Sequence, residues 1–278
     1  MKKLIAFLVL VLLVAVFYVY YYEEVAAPSP IETTSIPKQE EAVLGNANIR
    51  VFSPKNGEEV SLPLLVSGEA RVFENQFNFR LRDEDGTILA MDSVYAHSPD
   101  TGQFGPFNIE KTYPTPKGNA GTIEIFDYSA KDGTEQDKVV ISVRFKKIET
   151  MKVKIFFGNN TYPTDGVDCN IVYSTERWIP KTEGVLKAAI EELLKGETAF
   201  EKEKGFYTSL NPGVKLQKVE LKNGVAKLDF DKTMQKNMGG SCRVSAIRAQ
   251  IEQTAKQFPE VKSVIISVNG NVAEALQP

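Results

Sequence analysis

The sequence predicts a multidomain protein: one N-terminal transmembrane helix, then an all-β sandwich, then an α+β domain built of a mixed sheet with two helices. Three observations lead to this fold class. An apolar run without a single charge occupies residues 4–22. Apolar and polar residues alternate between turn residues across residues 48–147, as in half-buried strands. Across residues 151–278 the apolar spacing changes in two places to that of amphipathic helices.

The apolar run predicts a membrane anchor over residues 1–22. As a helix the run would extend roughly 28 Å, close to the thickness of the hydrocarbon layer of a bilayer. Lys2 and Lys3 precede the run, and two glutamates follow it. By the positive-inside rule the N-terminus stays in the cytoplasm, and the domains that follow lie outside the cell membrane.

A cleaved signal peptide is the alternative interpretation of this run. Val25-Ala26-Ala27 offers a small-residue cleavage site, but Pro28 follows it directly. The run is also longer than the apolar core of a typical signal peptide, which has about 7–15 residues. Both interpretations export the remainder of the chain.

Residues 23–47 predict a disordered stalk between the anchor and the first folded domain. The segment contains Pro28, Pro30 and Pro37, several glutamates and no aromatic residue. Such a composition buries too little apolar surface to offset the entropy lost when a chain is ordered. We therefore expect the stalk to hold the folded part away from the membrane.

Residues 48–147 predict an all-β domain. The segment from Phe77 to Arg82 alternates strictly between apolar and polar residues. Asp85-Gly86 and Asp132-Gly133 are turn signals between such segments. Because turns are frequent and no long helical pattern interrupts them, we expect a β-sandwich.

Residues 151–278 predict a sheet with two helices. The first helix ends at Gly196, and the second starts after Gly239-Gly240-Ser241 and ends before Pro259. Asn223-Gly224 is a strong hairpin signal between two alternating segments. The apolar positions of the two helices are Val185, Leu186, Ala189, Ile190, Leu193 and Leu194, then Val244, Ile247, Ile251 and Phe258.

Cys169 and Cys242 predict a disulfide, because an exported chain lies in an oxidising compartment. Closing so long a loop stabilises a fold by roughly 4 kcal/mol through the chain entropy of the unfolded state. Two buried free thiols are the alternative. We expect no metal site, since the only histidine, His97, lies in the other half of the chain.

Composition and motifs exclude several classes of function. The net charge of −3 is too small to suggest nucleic-acid binding, and no pattern predicts a cofactor. Nucleophilic catalysis would need His97, which we expect in an exposed loop. Asp229 and Asp231 share one face of a strand and could serve acid–base chemistry, although a solvated strand face is commoner. Asp83-Glu84-Asp85-Gly86 is similar to part of a calcium loop, but the later glutamate is missing and we expect a hairpin turn.

Two places predict contacts with a ligand or a partner. The N–H groups after Gly239-Gly240-Ser241 could bind an anion with help from Arg243, or the segment could be a helix cap that tethers Cys242. Arg177 and Trp178 form a pair that is typical of interface hot spots when it is exposed. A Trp178 that packs on the first helix at the edge of the core is the alternative.

Short segments in residues 48–147 follow a recognisable order. They are Ser53-Pro54, Val66 to Glu74, Asp83 to Gly86 and Asp132-Gly133. In this order they resemble the immunoglobulin-like domain of bacterial spore germination. The resemblance implies an immunoglobulin-like sandwich, although the cysteine pair and the core tryptophan of antibody domains are missing.

A second, more specific series follows in residues 151–275. Its segments are Ile179 to Thr182, Ala188 to Gly196, Asn223 to Phe230 and Gln257-Phe258-Pro259. They resemble the GerMN domain of sporulation and germination proteins. Both families belong to envelope-associated proteins and are taken to be binding or assembly modules. The resemblance brings no catalytic residues.

The sequence thus predicts a single-pass, membrane-anchored extracytoplasmic protein that binds or scaffolds in the bacterial cell envelope. Its expected partners are the membrane, through the N-terminal helix, and an envelope protein or cell-wall polymer. We expect neither nucleic-acid binding nor enzymatic activity. The alternative is an envelope enzyme or enzyme accessory that acts on peptidoglycan or another glycan, with Asp229 and Asp231 in an acidic cleft.

Overall fold

The structure is a computed structural model of the whole chain. Two predicted features, the cleavage site at Val25-Ala26-Ala27 and most of the stalk, lie outside the residues that it describes. The described residues are 13–21, 44–162, 168–237, 239–272 and 276.

The chain divides into two compact units, Met1–Ala42 and Val43–Pro278. In the first unit, residues 13–21 form helix α1, along which the rings of Phe17 and Tyr21 stack with centroids 6.3 Å apart. The apolar side chains of α1 are exposed. None of the helices in the described residues is long and apolar enough to cross a membrane. The predicted anchor extends beyond the described residues and stays a prediction.

The second unit begins with a β-sandwich. Its strands are β1 (Leu44–Gly45), β2 (Ile49–Ser53), β3 (Glu58–Val60), β4 (Leu64–Ala70), β5 (Gln76–Asp83), β6 (Ile88–Tyr95), β7 (Gly105–Lys111), β8 (Ala120–Tyr128) and β9 (Glu135–Phe145). One sheet has the order β1-β2-β4-β7, and the other has the order β3-β9-β8-β5-β6. Strands β3 and β9 are parallel, and the other neighbours are antiparallel. The predicted all-β fold of this part is confirmed.

The core of the sandwich lies between the two sheets. Along β5, the side chains of Phe77, Phe79 and Leu81 are fully buried, as the alternation predicts. The rings of Phe77 and Phe107, which come from opposite sheets, lie with centroids 4.8 Å apart. Each such side chain contributes about 1.5–3 kcal/mol by leaving water. Tyr113 is buried against the same core, and burial raises its pKa to about 12.

The sandwich starts earlier than predicted. Strand β1 pairs with β2, so Leu44–Gly45 belong to the sheet, and residues 46–47 belong to the turn that follows, rather than to the stalk that we predicted over 23–47. The turn between the two strands is closed by Asn46, whose Oδ1 accepts hydrogen bonds from the N–H groups of Asn48 and Ile49. A two-residue strand is too short to show alternation, which is why the sequence pattern missed it.

The α+β part follows after a short connector. Its elements are β10 (Thr150–Asn159), β11 (Tyr173–Pro180), α2 (Val185–Leu194), α3 (Ala199–Glu203), β12 (Phe206–Tyr207), β13 (Leu216–Lys222), β14 (Val225–Phe230), α4 (Ser241–Lys256) and β15 (Ser263–Val268). Strands β10 to β12 form a sheet of order β11-β10-β12, and β13 to β15 form a sheet of order β13-β14-β15. The pair β14 and β15 is parallel, whereas β13 and β14 are antiparallel.

This arrangement corrects the prediction of one mixed sheet with two helices. Within the described residues there are two three-stranded sheets, and α3 is an additional helix between the two predicted ones. Helix α3 has only five residues, too few for a periodic pattern. A capping box forms it: Thr198 accepts a hydrogen bond from the N–H of Glu201, and the Glu201 carboxylate accepts one from the N–H of Thr198.

The core of the α+β part confirms the predicted helix faces. Leu186, Ala189, Ile190 and Leu193 of α2 are buried in one apolar cluster with residues of α4 and of both sheets. The predicted hairpin at Asn223-Gly224 joins β13 to β14. Both of its turn residues have positive φ angles, 53° and 81°, as a type I′ turn requires.

The two parts of the second unit meet at a seam of direct hydrogen bonds. Thr115 Oγ1 accepts a hydrogen bond of 2.7 Å from the N–H of Thr150, the first residue of β10. Thr112 Oγ1 accepts one of 3.0 Å from the N–H of Trp178 on β11. Lys204 Nζ lies 2.9 Å from Asp92 Oδ1. The short connector and these bonds place the sandwich and the α+β part against each other.

Candidate binding cleft

A cleft of about 470 Å³ lies at this seam. Its sandwich wall consists of Leu62 and Pro63, which precede β4, and of the end of β7. Its other wall consists of one edge of β11, the C-terminal end of α2 and the region of α3. Pockets that hold small ligands usually measure about 300–1,000 Å³. We call this space the seam cleft and treat it as the candidate functional site.

All hydrogen-bond donors of the Arg177 side chain, which lies beside the seam cleft, have acceptors. Its guanidinium makes two parallel hydrogen bonds to the Glu201 carboxylate, of which the Nε–Oε1 bond measures 3.0 Å. It also donates to the carbonyl oxygens of Glu192 at 3.0 Å and of Gly196 at 2.7 Å, and to the Glu192 carboxylate at 3.4 Å. Each N–H of the guanidinium thus has an acceptor, and the side chain joins β11 to α2 and α3.

Electrostatics agree with this structural role. Burial alone would lower the pKa of Arg177, but hydrogen bonds to Glu201 and the charges of Glu201 and Glu192 outweigh it and raise the pKa above the ordinary value of arginine. The guanidinium is therefore permanently charged and already neutralised by its neighbours. It offers no free donor to a ligand.

The structure corrects both predictions for the Arg177–Trp178 pair. Arg177 is only 4% exposed, so it is not half of an exposed hot spot. Adjacent residues of a strand point to opposite faces, and Trp178 is half-buried at the seam cleft rather than part of the core cluster. The Lys152 ammonium lies 5.2 Å from the centroid of the indole ring. The indole N–H of Trp178 has no hydrogen-bond partner among the described residues.

The edge of β11 presents backbone groups to the seam cleft. Strand β11 is an edge strand whose other side pairs with β10. The N–H of Trp178 points away from β10, since it donates to Thr112. Backbone groups of every second residue of an antiparallel strand point the same way, so the N–H and C=O of Glu176 also point away from β10. Glu176 lines the seam cleft, and in the described part of the chain these two backbone groups have no partner.

The cations around the seam cleft are already paired with carboxylates. Lys195 pairs with Glu192, and both Lys111 and Lys204 pair with Asp92. The ring of Phe200 lies between the last two ammonium groups, at 4.2 and 4.1 Å from its centroid. These contacts close one end of the seam cleft with a cluster in which two ammonium groups share one carboxylate.

One carboxylate of the seam cleft lacks such a partner. Glu110 lies on β7, two residues before Thr112, and both residues line the seam cleft. In the described residues no lysine or arginine forms an ion pair with Glu110. Thr112 accepts the hydrogen bond from the N–H of Trp178, which lies on the other wall.

At the start of α4, where we predicted an anion site or a helix cap, the arginine that would assist an anion has other partners. Gly239, Gly240 and Ser241 are exposed, and Gly240 caps the helix without a side-chain hydrogen bond. Arg243 donates instead to Ser209 O at 3.2 Å, Asn237 O at 3.0 Å and Asn211 Oδ1 at 2.7 Å. Arg243 is thus held by neighbouring loops.

The predicted disulfide is confirmed. Cys169 and Cys242 are bonded, with Cα atoms 5.2 Å apart. The bond ties the segment before β11 to the first turn of α4. This is the tether that the alternative interpretation of the glycine segment predicted.

The remaining candidate residues have local structural partners. Asp229 Oδ1 accepts hydrogen bonds from Ser267 Oγ and the N–H of Gly270. Asp231 accepts from the N–H of Lys215 and from Thr233 Oγ1, and the Lys215 hydrogen bond leads the effects that lower its pKa. His97 is exposed, as predicted.

The predicted hairpin turn at Asp83 is confirmed, and its carboxylate supports a neighbouring loop. Asp83 is 3% exposed and accepts hydrogen bonds from the N–H groups of Lys117 and Gly118. Among the described residues, no three side chains of histidine, cysteine, aspartate or glutamate are grouped to hold a metal ion.

The residues of the seam cleft that sequence reasoning missed are Glu110, Thr112 and Glu176. Thr112 and Trp178 are 66 positions apart in the chain and meet only in the folded unit. No local pattern marks such a pair. The one available signal was the lone tryptophan beside a strand end, which drew attention to Trp178 but not to the wall opposite it.

Comparison with known families supports both resemblances. Residues 48–134 match the family model described as the immunoglobulin-like domain of bacterial spore germination. Residues 154–274 match the family model described as sporulation and spore germination. No curated protein gives a significant match. Over these residues the chain is thus similar to two germination-type families, and the membrane anchor remains a separate prediction.

Three solved structures are among those similar to part of this chain. The tandem GerMN domains of the sporulation protein GerM from Bacillus subtilis are 20% identical, with 45% of this chain and 41% of that chain covered and a TM-score of 0.36. The first GerMN domain of the same protein is 19% identical, with coverages of 44% and 85% and a TM-score of 0.36. A putative lipoprotein from Clostridium perfringens is 17% identical, with coverages of 46% and 80% and a TM-score of 0.30. The chain spans less than half the length of the tandem-domain protein.

Proposed function

We propose that this protein is a membrane-anchored, extracytoplasmic binding or scaffolding protein of the bacterial cell envelope. The observation that carries the proposal is the seam cleft, a ligand-sized space that both modules build together. Its lining combines the aromatic residues Trp178 and Phe200, free backbone groups and one carboxylate that forms no ion pair with the described residues. Such a lining suits binding, since Arg177, Lys195, Asp229 and Asp231 are held in ion pairs or local hydrogen bonds and Glu110 has no second carboxylate or histidine assigned to act with it.

Three further observations support the location. The charge-free run over residues 4–22 is long enough for an anchor, and lysines precede it. A disulfide between Cys169 and Cys242 fits an oxidising compartment. The two family matches are to modules associated with sporulation and germination.

The location is tested by fractionating cells that express the full chain with a C-terminal tag. We expect the protein in the membrane fraction, with the tag accessible to protease added outside the membrane. Thiol trapping in intact cells should show Cys169 and Cys242 oxidised. A variant with Leu10→Arg and Leu12→Arg in the apolar run should lose the membrane location, the accessible tag and the oxidised cysteines. Recovery in the cytoplasm with free thiols contradicts the proposal.

The binding role is tested by capture of cell-envelope material on the full chain and on Trp178→Ala. The variant should lose partners that use the seam cleft. Phe73→Ala is the matched control, because Phe73 is an aromatic residue of the sandwich that is 74% exposed and does not line the seam cleft. Hydrolysis of a wall polymer by the purified chain, together with unchanged capture by Trp178→Ala, contradicts the binding role.

A further inference from the structure

We propose that strand β13 pairs with β13 of a second copy of this chain, so that the sheets of two molecules continue into each other across a two-fold axis. The contact lies outside the seam cleft and adds a partner that the proposed binding role does not name. Three features of β13 support it: its open backbone groups, the order of its charges and the one register that satisfies both.

Strand β13 is an edge of its sheet, and hydrogen bonds at the end of β14 show which residues face it. The sheet has the order β13-β14-β15, so β13 is paired with β14 alone. The N–H of Asp231 donates to Lys215 O, next to β13, whereas Phe230 O accepts from the N–H of Asn269, next to β15. Because the direction alternates along a strand, the backbone groups of odd-numbered residues of β14 face β13, and those of even-numbered residues face β15.

The open backbone groups of β13 belong to Val219 and Leu221. The residues opposite them on β14 are Leu228 and Ala226, whose backbone groups face β15. The N–H and C=O groups of Val219 and Leu221 therefore point away from β14, towards the free edge. Among the described residues these groups have no hydrogen-bond partner. An edge of this kind can pair with another strand.

The charges of β13 alternate in sign on one face of the strand. Lys218, Glu220 and Lys222 share this face, and all three are exposed. Lys218 Nζ lies 2.8 Å from Glu220 Oε1, with side chains that are 68% and 50% exposed. Lysines alone would repel a second copy and protect the edge. With a glutamate between them, the strand carries both signs and can complement itself.

The charges select one register for an antiparallel pair of two β13 strands. Open backbone groups must meet open groups, so the two-fold axis passes through residue 219, 220 or 221. An axis at Glu220 sets this glutamate opposite its own copy and Lys218 opposite Lys222. An axis at Leu221 sets Glu220 opposite Lys222 but overlaps the strands only from residue 220 to the hairpin turn. An axis at Val219 overlaps the whole of β13 and sets each Lys218 opposite Glu220 of the other copy.

The Val219 register also joins charges and apolar surface that the single chain leaves exposed. Each Lys218 then lies between its own Glu220 and Glu220 of the second copy, so two exposed ion pairs become one network of four charges. Such networks stabilise more than isolated surface pairs do. On the other face of β13, Leu221 is 42% exposed, and the second strand covers part of it.

The first experiment measures the mass of the full chain in detergent by sedimentation over a range of concentrations. We expect an equilibrium between monomer and dimer that shifts towards the monomer as salt screens the charges. Lys218→Glu or Glu220→Lys sets like charges opposite each other and should weaken the dimer by roughly tenfold or more. The double variant Lys218→Glu/Glu220→Lys sets opposite charges against each other again and should restore the dimer. Lys222→Glu is the matched control, because in this register Lys222 lies opposite Leu216 and the dimer should persist.

The second experiment tests the register with single cysteines, since Cys169 and Cys242 are already bonded to each other. In the Val219 register the two Val219 Cα atoms are about 5.5 Å apart, within the range that a disulfide spans. Val219→Cys should therefore form a covalent dimer under mild oxidation. Leu221→Cys should not, because the two Leu221 Cα atoms are then more than about 13 Å apart. Thermal unfolding of each variant verifies that a lost dimer is not a lost fold.

Three outcomes overturn the proposed dimer: a monomer at every concentration, a dimer that the single charge variants leave unchanged, or a covalent dimer through Leu221→Cys in place of Val219→Cys. The second outcome would place the contact on another surface, such as the apolar run over residues 4–22. None of these results affects the proposed location or the role of the seam cleft, which are tested by fractionation and by capture on Trp178→Ala.

Discussion

Arg177 and Glu201 form a two-fold hydrogen-bonded ion pair whose side chains are 5% and 7% exposed. Arg177 belongs to the edge strand β11, and Glu201 belongs to the short helix α3. The pair therefore fastens to the sheet a helix that is too short to be stable by itself. One wall of the seam cleft depends on this bond.

Removing only the arginine should destabilise the protein strongly. In Arg177→Met, the Glu201 carboxylate stays buried without its cation, which costs about 3–5 kcal/mol. Urea unfolding measures the change. Lys181→Met is the control, because its pair with Glu149 is 66% and 74% exposed and contributes less than about 1 kcal/mol. Equal losses of stability in the two variants would show that the buried pair contributes no more than the exposed one.

Removing the disulfide should lower the stability of the α+β part. Cys169 and Cys242 close a loop of 73 residues, for which the chain-entropy relation gives about 4 kcal/mol. We expect this loss in the double variant Cys169→Ala/Cys242→Ala, measured by denaturant unfolding under oxidising conditions. A reductant should destabilise the unmodified chain similarly and leave the double variant unaffected. Sensitivity of the double variant to reductant would contradict this assignment.

Asp83→Ala should destabilise the sandwich. The carboxylate accepts hydrogen bonds from the backbone N–H groups of Lys117 at 2.7 Å and Gly118 at 3.2 Å, and Gly118 is buried. Leaving such donors without acceptors costs about 1–3 kcal/mol. Glu84→Ala, at the exposed neighbouring position, should cost less. Calcium should not raise the melting temperature of the unmodified chain, and a calcium-dependent increase would revive the alternative of a calcium loop.

Acid should lower the stability of the sandwich through an ion pair on the outer face of its larger sheet. A hydrogen bond from Arg80, followed by one from Lys138, lowers the pKa of Glu135 from 4.5 to about 2. The folded state thus holds this carboxylate in its charged form more strongly than the unfolded state does. The resulting stabilisation is complete above pH 4.5 and is lost as the pH falls towards 2.

Glu135→Gln tests this dependence. Urea unfolding between about pH 5 and pH 2 should show a shallower loss of stability with acid than in the unmodified chain. Ser142→Ala, on the same strand, removes no charge and should keep the original slope. An unchanged slope in Glu135→Gln would exclude a contribution from this ion pair.

Local chemistry explains which elements could be predicted. The hairpin at Asn223-Gly224 follows from two residues that tolerate positive φ, and the strand from Phe77 to Arg82 follows from its alternation. The disulfide follows from having two cysteines in a chain that we expect to be exported. Each of these predictions depends only on residues that are neighbours in the sequence or on the number of cysteines.

The remaining features depend on contacts between distant segments. An arginine within an alternating strand gives no sign that three elements surround it, and so Arg177 was expected at an interface. The division into two sheets depends on strand pairing, which the apolar pattern does not specify. The seam cleft is formed by residues of both modules. The sequence marked Trp178 as a candidate binding residue but did not indicate the opposite wall of the cleft.

The seam has a consequence for engineering by recombination. Thr112, Thr115 and Asp92 of the sandwich bond to Trp178, Thr150 and Lys204 of the α+β part. In a chimaera that takes one module from another protein, each of these bonds would lose one of its two partners. Its graft junction would need to include the partner side chains as well as the connector, so the two modules are exchangeable only as a matched pair.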